Sequence, residues 1–247
     1  MTKKIRDKKI TVINEQGNLI SMDRGASGSI VKFNNIIYSM IKKDSIYTNS
    51  YWDYLSVLPS VSRNPRILMI GLGGGTIAYQ ISKLFDDYKL DIVEIDRQMA
   101  YVASKFLPKG VKFNLIIDDG AEYIKRTRDK YDLIILDAYI KSDMPDIFRS
   151  DEFIRNSKIA LKENGILAVN YLLLIRSMIK LPGFKRLLKR YYSNVYKIKV
   201  LPMFGLNILI ASKKLEKEEI LEKVSKKLLE SGSTSNVLNR FSEMKRL

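Results

Sequence analysis

Residues 66–76 read Arg-Ile-Leu-Met-Ile-Gly-Leu-Gly-Gly-Gly-Thr, and Glu94 closes the next apolar run, Lys89–Ile95. A short continuous apolar run broken by glycines is a buried strand that turns sharply into a helix, here Thr76–Phe85. Glycines at such a turn let backbone N–H groups approach a nucleotide-like ligand. An acid one unit later is placed to grip a ribose. A dinucleotide site prefers Gly-x-Gly-x-x-Gly, but counting from Gly71 the last of these positions is Thr76. The pattern suits a ligand without a pyrophosphate that lies flat on the turn, as S-adenosylmethionine and its relatives do.

The flanking periodicity extends this unit in both directions. Lys89–Ile95, Val111–Ile117, Tyr131–Leu136 and Gly165–Asn170 read as strands, alternating with helices at Arg97–Phe106, Ala121–Arg126 and Asp151–Leu161. That alternation predicts a mostly parallel sheet covered on both faces. Pro182–Tyr192 reads as a helix, and Val195–Leu201 and Asn207–Ala211 as an antiparallel pair around Pro202-Met203-Phe204-Gly205. Upstream, Lys9–Asn14, Asn18–Asp23, Ser29–Phe33 and Asn35–Ile41 read as short strands joined by turns, followed by a helix over 47–58. Downstream, residues 213–230 read as a charged helix with i,i+4 pairs Glu219/Lys223 and Glu222/Lys226. Its apolar stripe would be Leu215, Leu221, Leu228 and Leu229, with a flexible break at 231–235 and a short tail after it. The expected organisation is a small antiparallel β domain over 1–50, a Rossmann-like catalytic domain over 51–212, and a charged helix and tail over 213–247.

Composition removes whole classes of chemistry. The chain of 247 residues has no cysteine and no histidine. Disulfides, thiol nucleophiles and Ser-His-Asp triads are excluded, and a zinc centre lacks its usual ligands. A general base must be Asp, Glu, Lys or Tyr. No run of eighteen apolar residues and no signal-type leader is evident, so a cytoplasmic protein with no membrane partner is expected. The net charge of +16 favours anionic partners. Lys180, Lys185, Arg186, Lys189, Arg190, Lys197 and Lys199 are interleaved with Phe184, Tyr191, Tyr192 and Tyr196. That is either a nucleic-acid surface or a solvated face whose aromatics turn inward.

Acids fall at the ends of successive strands: Glu94 and Asp96, Asp118 and Asp119, and Asp137. In an open parallel sheet, ligands bind outside the carboxyl ends of the strands, so these acids collect beside Gly71, Gly73, Gly74 and Gly75. Glu94 would accept the ribose hydroxyls, Asp119 or Asp118 with Gly120 would meet the adenine, and Asp137 would face the reacting carbon as the base. Each acid alone also reads as a helix N-cap, Asp119 above all.

These stretches resemble the spermidine synthase family, the polyamine aminopropyltransferases. Ile67–Thr76 is similar to that family's glycine-rich motif without a gap. Val93-Glu94-Ile95-Asp96 is similar to its Val-Glu-Ile-Asp segment, and Asp119-Gly120-Ala121-Glu122-Tyr123-Ile124 to its Asp-Gly-x-x-Phe-Leu segment. Tyr131–Asp137 resembles the strand ending in its catalytic aspartate. Phe148–Phe153 resembles the stretch that follows, and Tyr51-Trp52-Asp53 falls where the family has Tyr-His/Gln-Glu. The resemblance implies a seven-stranded S-adenosylmethionine-dependent methyltransferase-type sheet with a small N-terminal β domain. It also implies decarboxylated S-adenosylmethionine or S-adenosylmethionine as donor substrate, an amine acceptor, and a homodimer or homotetramer; no metal is expected, since the usual His and Cys ligands are absent. Tyr139 would orient the nucleophile, Tyr51 and Trp52 would wall the acceptor pocket, and Asp143 would bind the acceptor. Three departures stand out. Gly74 replaces the Asp that holds the donor's ammonium. The family's Asp-Ser-Ser-Asp becomes Asp137-Ala138-Tyr139-Ile140. No glutamine ends the β unit, at Asp23-Arg24-Gly25-Ala26-Ser27. Aminopropyl transfer is the leading expectation, methyl transfer within the same fold the alternative, and a nucleic-acid-binding protein that kept the nucleoside fold the third.

Overall fold

A computed structural model describes residues 9–140, 143–201, 205–232 and 235–247. The apolar run that ends at the glycine turn is β5 (Arg66–Ile70), the middle strand of the parallel part of a sheet. To one side lie β6 (Lys89–Glu94) and β7 (Asn114–Ile117). To the other lie β8 (Tyr131–Leu136) and β9 (Leu161–Leu172), all parallel to β5. β11 (Leu206–Ser212) joins β9 antiparallel and β10 (Asn194–Leu201) joins β11. The two-residue β12 (Lys245–Arg246) adds an eighth edge strand to the seven expected. Chain order reverses at the β5/β8 boundary, which opens a crevice there at the carboxyl ends of the strands.

Strand period sorts the core into two faces. Ile67 and Met69 point to the side covered by α1 (Tyr51–Val57), α2 (Thr76–Leu84) and α7 (Lys217–Glu230). Leu68 and Ile70 point to the side covered by α4 (Gly120–Arg126), α5 (Asp151–Ala160) and α6 (Ile175–Tyr191). The N-terminal strands β1 (Lys9–Ile13), β2 (Leu19–Gly25), β3 (Gly28–Phe33) and β4 (Ile36–Lys42) form a separate antiparallel meander. Asn34 and Asn35 both take positive φ (46° and 69°), as a tight two-residue hairpin turn demands. Ile20, Met22 and Val31 of this meander bury against Met99, Val102 and Phe106 of α3 (Arg97–Phe106), which seats the meander over the sheet's carboxyl rim.

Three expectations change. α6 begins seven residues before Pro182, because that proline sits on the exposed side of the helix, where water can satisfy the carbonyl whose N–H partner it removes. The apolar stripe of α7 is Ile220, Val224 and Leu228, spaced by four, whereas Leu229 is 73% exposed. Lys223 donates to the Val61 carbonyl (2.8 Å), and Glu219 closes the N-terminal capping box on Glu216 instead of pairing with Lys223. Residues 235–247 are not a loose tail, while positions 233 and 234 of the expected break lie outside the described residues. α8 (Ser235–Ser242) inserts Phe241, fully buried, against Tyr54 at a ring separation of 5.8 Å. Phe241→Ala is expected to cost about 3–5 kcal/mol, measured by chemical denaturation. A loss below about 1 kcal/mol would mean that this helix contributes little to the fold. The turn at Pro202-Met203-Phe204 lies outside the described residues.

The basic stripe resolves as a solvated face. Phe184, Tyr192 and Tyr196 are buried, while Tyr191 and Arg190 both bond to Asp151. No aromatic of that group other than Tyr191 is left at the surface to stack on a base. Among the described residues, no helix is long and apolar enough to cross a membrane.

Candidate active site

The glycine turn is shaped by two neighbours. Gly71 (φ +92°) donates its N–H to Val93, and a Cβ there would lie 2.4 Å from the Asp137 carbonyl oxygen, so only glycine lets β5 and β8 end this close together. Gly74 is closed from above by the meander. Its N–H donates to Ser39 Oγ (2.7 Å), and a Cβ would fall 2.6 Å from Ser39 Cβ and 2.8 Å from Val31 Cγ2. Thr76 Oγ1 also exchanges hydrogen bonds with both the N–H and the carbonyl of Met40. The Gly74 N–H, expected to serve a ligand, is therefore spent on the meander.

Glu94 stands at the end of β6, 7% exposed. Its Oε2 accepts the Leu72 N–H (2.8 Å) and its Oε1 the Asp96 N–H (2.9 Å). Burial pushes its carboxyl above the usual range, against the pull of the Asp96, Leu72 and Gly73 N–H groups. Each oxygen keeps a second lone pair, so a pair of hydroxyls can still be accepted. Asp96 caps a helix, and both its oxygens are engaged within the chain. Oδ1 accepts the N–H groups of Gln98 and Met99 at the start of α3, and Oδ2 accepts Asn14 Nδ2 (2.6 Å) from the meander. Asp96→Ala is expected to lower stability by about 1–2 kcal/mol and leave nucleoside affinity within about twofold, as calorimetry would show. A tenfold loss of affinity would return Asp96 to the binding site.

Asp118 is engaged by Arg126 and by the Asp119 N–H, which leaves it a structural ion pair. Asp119 caps α4 through Oδ1, to Ala121 and Glu122, but its Oδ2 carries no hydrogen bond among the described residues. Of the pair, Asp119 is the one that keeps a carboxylate oxygen without a partner among the described residues. Gly120 exists for packing: a Cβ would strike Ile70 Cγ2 at 2.3 Å.

Asp137 follows β8 in the crevice. Its N–H donates to Ile70 (2.9 Å), its Oδ1 accepts Asn170 Nδ2 (2.8 Å), and its Oδ2 accepts the Tyr51 hydroxyl (3.2 Å). Burial raises the carboxyl to about 7, countered by those two hydrogen bonds and helped by the charge of Glu94. Burial and the Asp137 charge hold the Tyr51 phenol well above its ordinary value, so it stays a donor. Asn170 and Tyr38 are additions to the expected set. Asn170, 4% exposed at the end of β9, leaves its Oδ1 without a partner. Tyr38 of β4 feels both Asp137 and Glu94, and burial, then those charges, raise its phenol to about 12.

Other expected members play different parts. The Tyr139 hydroxyl donates to the Asn170 carbonyl (2.8 Å) and accepts the Leu172 N–H (2.9 Å). Its oxygen latches the β8 loop to β9, donating on one side and accepting on the other. Trp52 is 5% exposed and belongs to the core, with its ring 4.9 Å from Tyr51. Asp143 is held by Arg149 (3.2 Å) and lies near Arg176, so it offers no unpaired carboxylate. Among the described residues no cluster of carboxylates is assembled for a metal ion.

Residues 49–223 match the model of the spermine/spermidine synthase domain, which covers more than half of the chain. The chain belongs to this family. A polyamine aminopropyltransferase of Prochlorococcus marinus is 35% identical over 119 residues, 45% of this chain and 42% of that protein. One from Buchnera aphidicola is 30% identical over 190 residues, 72% of this chain and 65% of that one. The match thus spans less than half the length of the first of these relatives. A crystal structure described as a probable spermidine synthase from Corynebacterium glutamicum superposes with a TM-score of 0.73 at 17% identity, covering 94% of this chain and 93% of the other. That agreement extends the shared fold to the N-terminal meander.

Proposed function

We propose that this spermidine-synthase-family chain alkylates an amine with a sulfonium nucleoside, and that the group moved is aminopropyl, from decarboxylated S-adenosylmethionine. One observation carries the reading: a carboxylate that ionises near 7 is held by Tyr51 and Asn170 in the crevice beside the glycine turn. A general base works best when its pKa lies near the operating pH. A free alkylammonium ionises at about 10, so the acceptor must lose a proton before it attacks, and desolvation in the crevice lowers that value toward Asp137. Asp137 takes the proton, the amine nitrogen forms a bond to the sulfonium-bound carbon, and the C–S bond breaks with its electron pair left on sulfur. The products are a secondary amine and neutral 5′-methylthioadenosine. Glu94 would accept the ribose hydroxyls on its remaining lone pairs and Asp119 Oδ2 the adenine amino group, while the turn at Gly71 and Gly73 lies under the nucleoside. The enzyme's share is alignment and the base.

Methyl transfer from intact S-adenosylmethionine is the second reading, and the closed wall at Gly74 favours it. Ser39 and Val31 leave no room there for an acid that would pair with the transferred group's ammonium. Calorimetric titration with the two donors separates the readings. Tighter binding of the decarboxylated donor supports aminopropyl transfer. Tighter binding of the carboxylated donor overturns it in favour of methyl transfer.

A further inference from the structure

At the β12 end of the main sheet, β12 pairs with β10 and α6 packs beside β10. These three elements contain no Asp and no Glu. Strand period decides which of their cations share a face. Val195 lies in the core under α6, so Lys197 and Lys199 stand on that same face, while Tyr196, Ile198 and Val200 fill the other. Lys197 and Lys245 are directly opposed across β10 and β12. Like charges so placed weaken a sheet. Lys185 joins them from α6: burial, then the charges of Lys185, Lys199 and Lys245, push the Lys197 ammonium below its usual range. Lys189 follows one helical turn after Lys185 on the same side of α6. Among the described residues, none of these lysines is paired with an acid. The acids bound at the C-terminal end of α6 and on β10 are Asp151 and Glu216. Arg190 and Tyr191 occupy the first, and Arg246 and Tyr196 the second.

Counter-charge for this face has to come from outside the chain. We propose that it binds the phosphate backbone of a double-stranded nucleic acid, without reading its sequence. The cations spread over a sheet and a helix and do not converge on one point, which fits a linear polyanion better than a single phosphate. A duplex carries one charge per roughly 1.7 Å of its axis and gains by releasing its counterions to such a surface. A single strand would add base stacking, but Phe184, Tyr192 and Tyr196 are buried and the Tyr191 hydroxyl is held by Asp151. A lipid surface would add apolar insertion, but Val195, Ile198 and Val200 beside the lysines are buried too. Phosphate contact is what this face has to offer. The proposal uses no residue of the crevice and is independent of the alkyl-transfer reading.

The test titrates the full chain into a fluorescein-labelled DNA duplex of mixed sequence and follows anisotropy over a range of salt concentrations. The expected Kd is about 1–100 μM near physiological salt, and the logarithm of affinity should fall with that of salt at a slope of about −3 to −4, for about four phosphate contacts. The variant Lys197→Gln, Lys199→Gln should reduce the steepness of that slope by about 2. It should melt no lower than the parent, because it thins a cluster of like charges. Lys83→Gln, Lys226→Gln removes the same charge from α2 and α7, which cover the opposite face of the sheet, and should leave the slope nearly unchanged. Absence of duplex binding at low salt overturns the proposal. Equal losses in the two variants also overturn it, because net charge would then explain the binding without this face. Tighter binding to a single strand of the same sequence, or to phosphatidylserine vesicles, overturns the duplex in favour of that partner.

Discussion

Asp137→Asn loses about three orders of magnitude in kcat/KM and at the same time melts higher than the parent chain at about pH 8. The loss follows from removing the carboxylate that the proposed mechanism uses to take the acceptor's proton. The gain follows from the raised ionisation of Asp137, near 7 in the folded chain. In the unfolded chain an aspartate ionises at about 3.9. The folded state therefore holds the proton more tightly. The stability contributed by the neutral form is complete below about pH 4 and is lost as pH rises through about 7. Asparagine cannot ionise and keeps the same shape, with Asn170 still able to donate to its carbonyl oxygen. A shift of about three units sets a ceiling of about 4 kcal/mol, and partial solvation brings the expected gain to about 2 kcal/mol. In a chain of this size that is about 4–8 °C in Tm. Thermal melts at about pH 4 should show the difference closing. A variant that gains nothing at about pH 8 would remove the case for a raised carboxyl. One that keeps more than about a tenth of its activity would remove Asp137 as the base.

Gly74→Asp, which restores the acid that the family resemblance leads one to expect, should fail to create a better polyamine enzyme and should unseat the N-terminal meander. Its Cβ would overlap Ser39 Cβ (2.6 Å) and Val31 Cγ2 (2.8 Å), and the carboxylate would be forced among buried side chains. Overpacking of this kind costs about 1–3 kcal/mol, with a further penalty for an unpaired buried charge. The sum should exceed about 3 kcal/mol by denaturant midpoint. Ser39→Gly in the same chain removes two of the overlapping atoms and should recover part of that loss. Unchanged stability in the single variant would mean that the meander moves freely away from the turn, and the wall at Gly74 would then say nothing about the donor.

The sheet and its rim were legible because their signals are local. A buried run ending in glycines marks β5, and the period of strands and helices after it places every strand-end acid on one edge. The jobs of those acids were not legible. Asp96 and Asp119 both follow a strand and both precede a helix. They differ only because Asn14, 82 residues away in sequence, takes the second oxygen of Asp96 while that of Asp119 stays open. Asn170 carries no charge, so a search for carboxylates passes over it, and its part appears only when β9 lies beside β8. Tyr139 lies in the loop after Asp137, yet its oxygen is engaged by β9 on both sides, a contact that no local spacing reveals. The closure of Gly74 depends on a contact from Ser39, in another sheet, that no spacing rule encodes. In sequence a proline suits the first turn of a helix, and only the three-dimensional placement shows Pro182 inside α6 on a wet face.

The central claim, alkylation of an amine by a decarboxylated sulfonium nucleoside with Asp137 as base, is tested most directly by the products. The purified chain is incubated with decarboxylated S-adenosylmethionine and an amine, and both products are quantified by mass spectrometry. The account predicts 5′-methylthioadenosine and an aminopropylated amine in equal amounts, absent when Asp137→Asn replaces the parent. S-adenosylhomocysteine formed from intact S-adenosylmethionine, with no turnover of the decarboxylated donor, would contradict it.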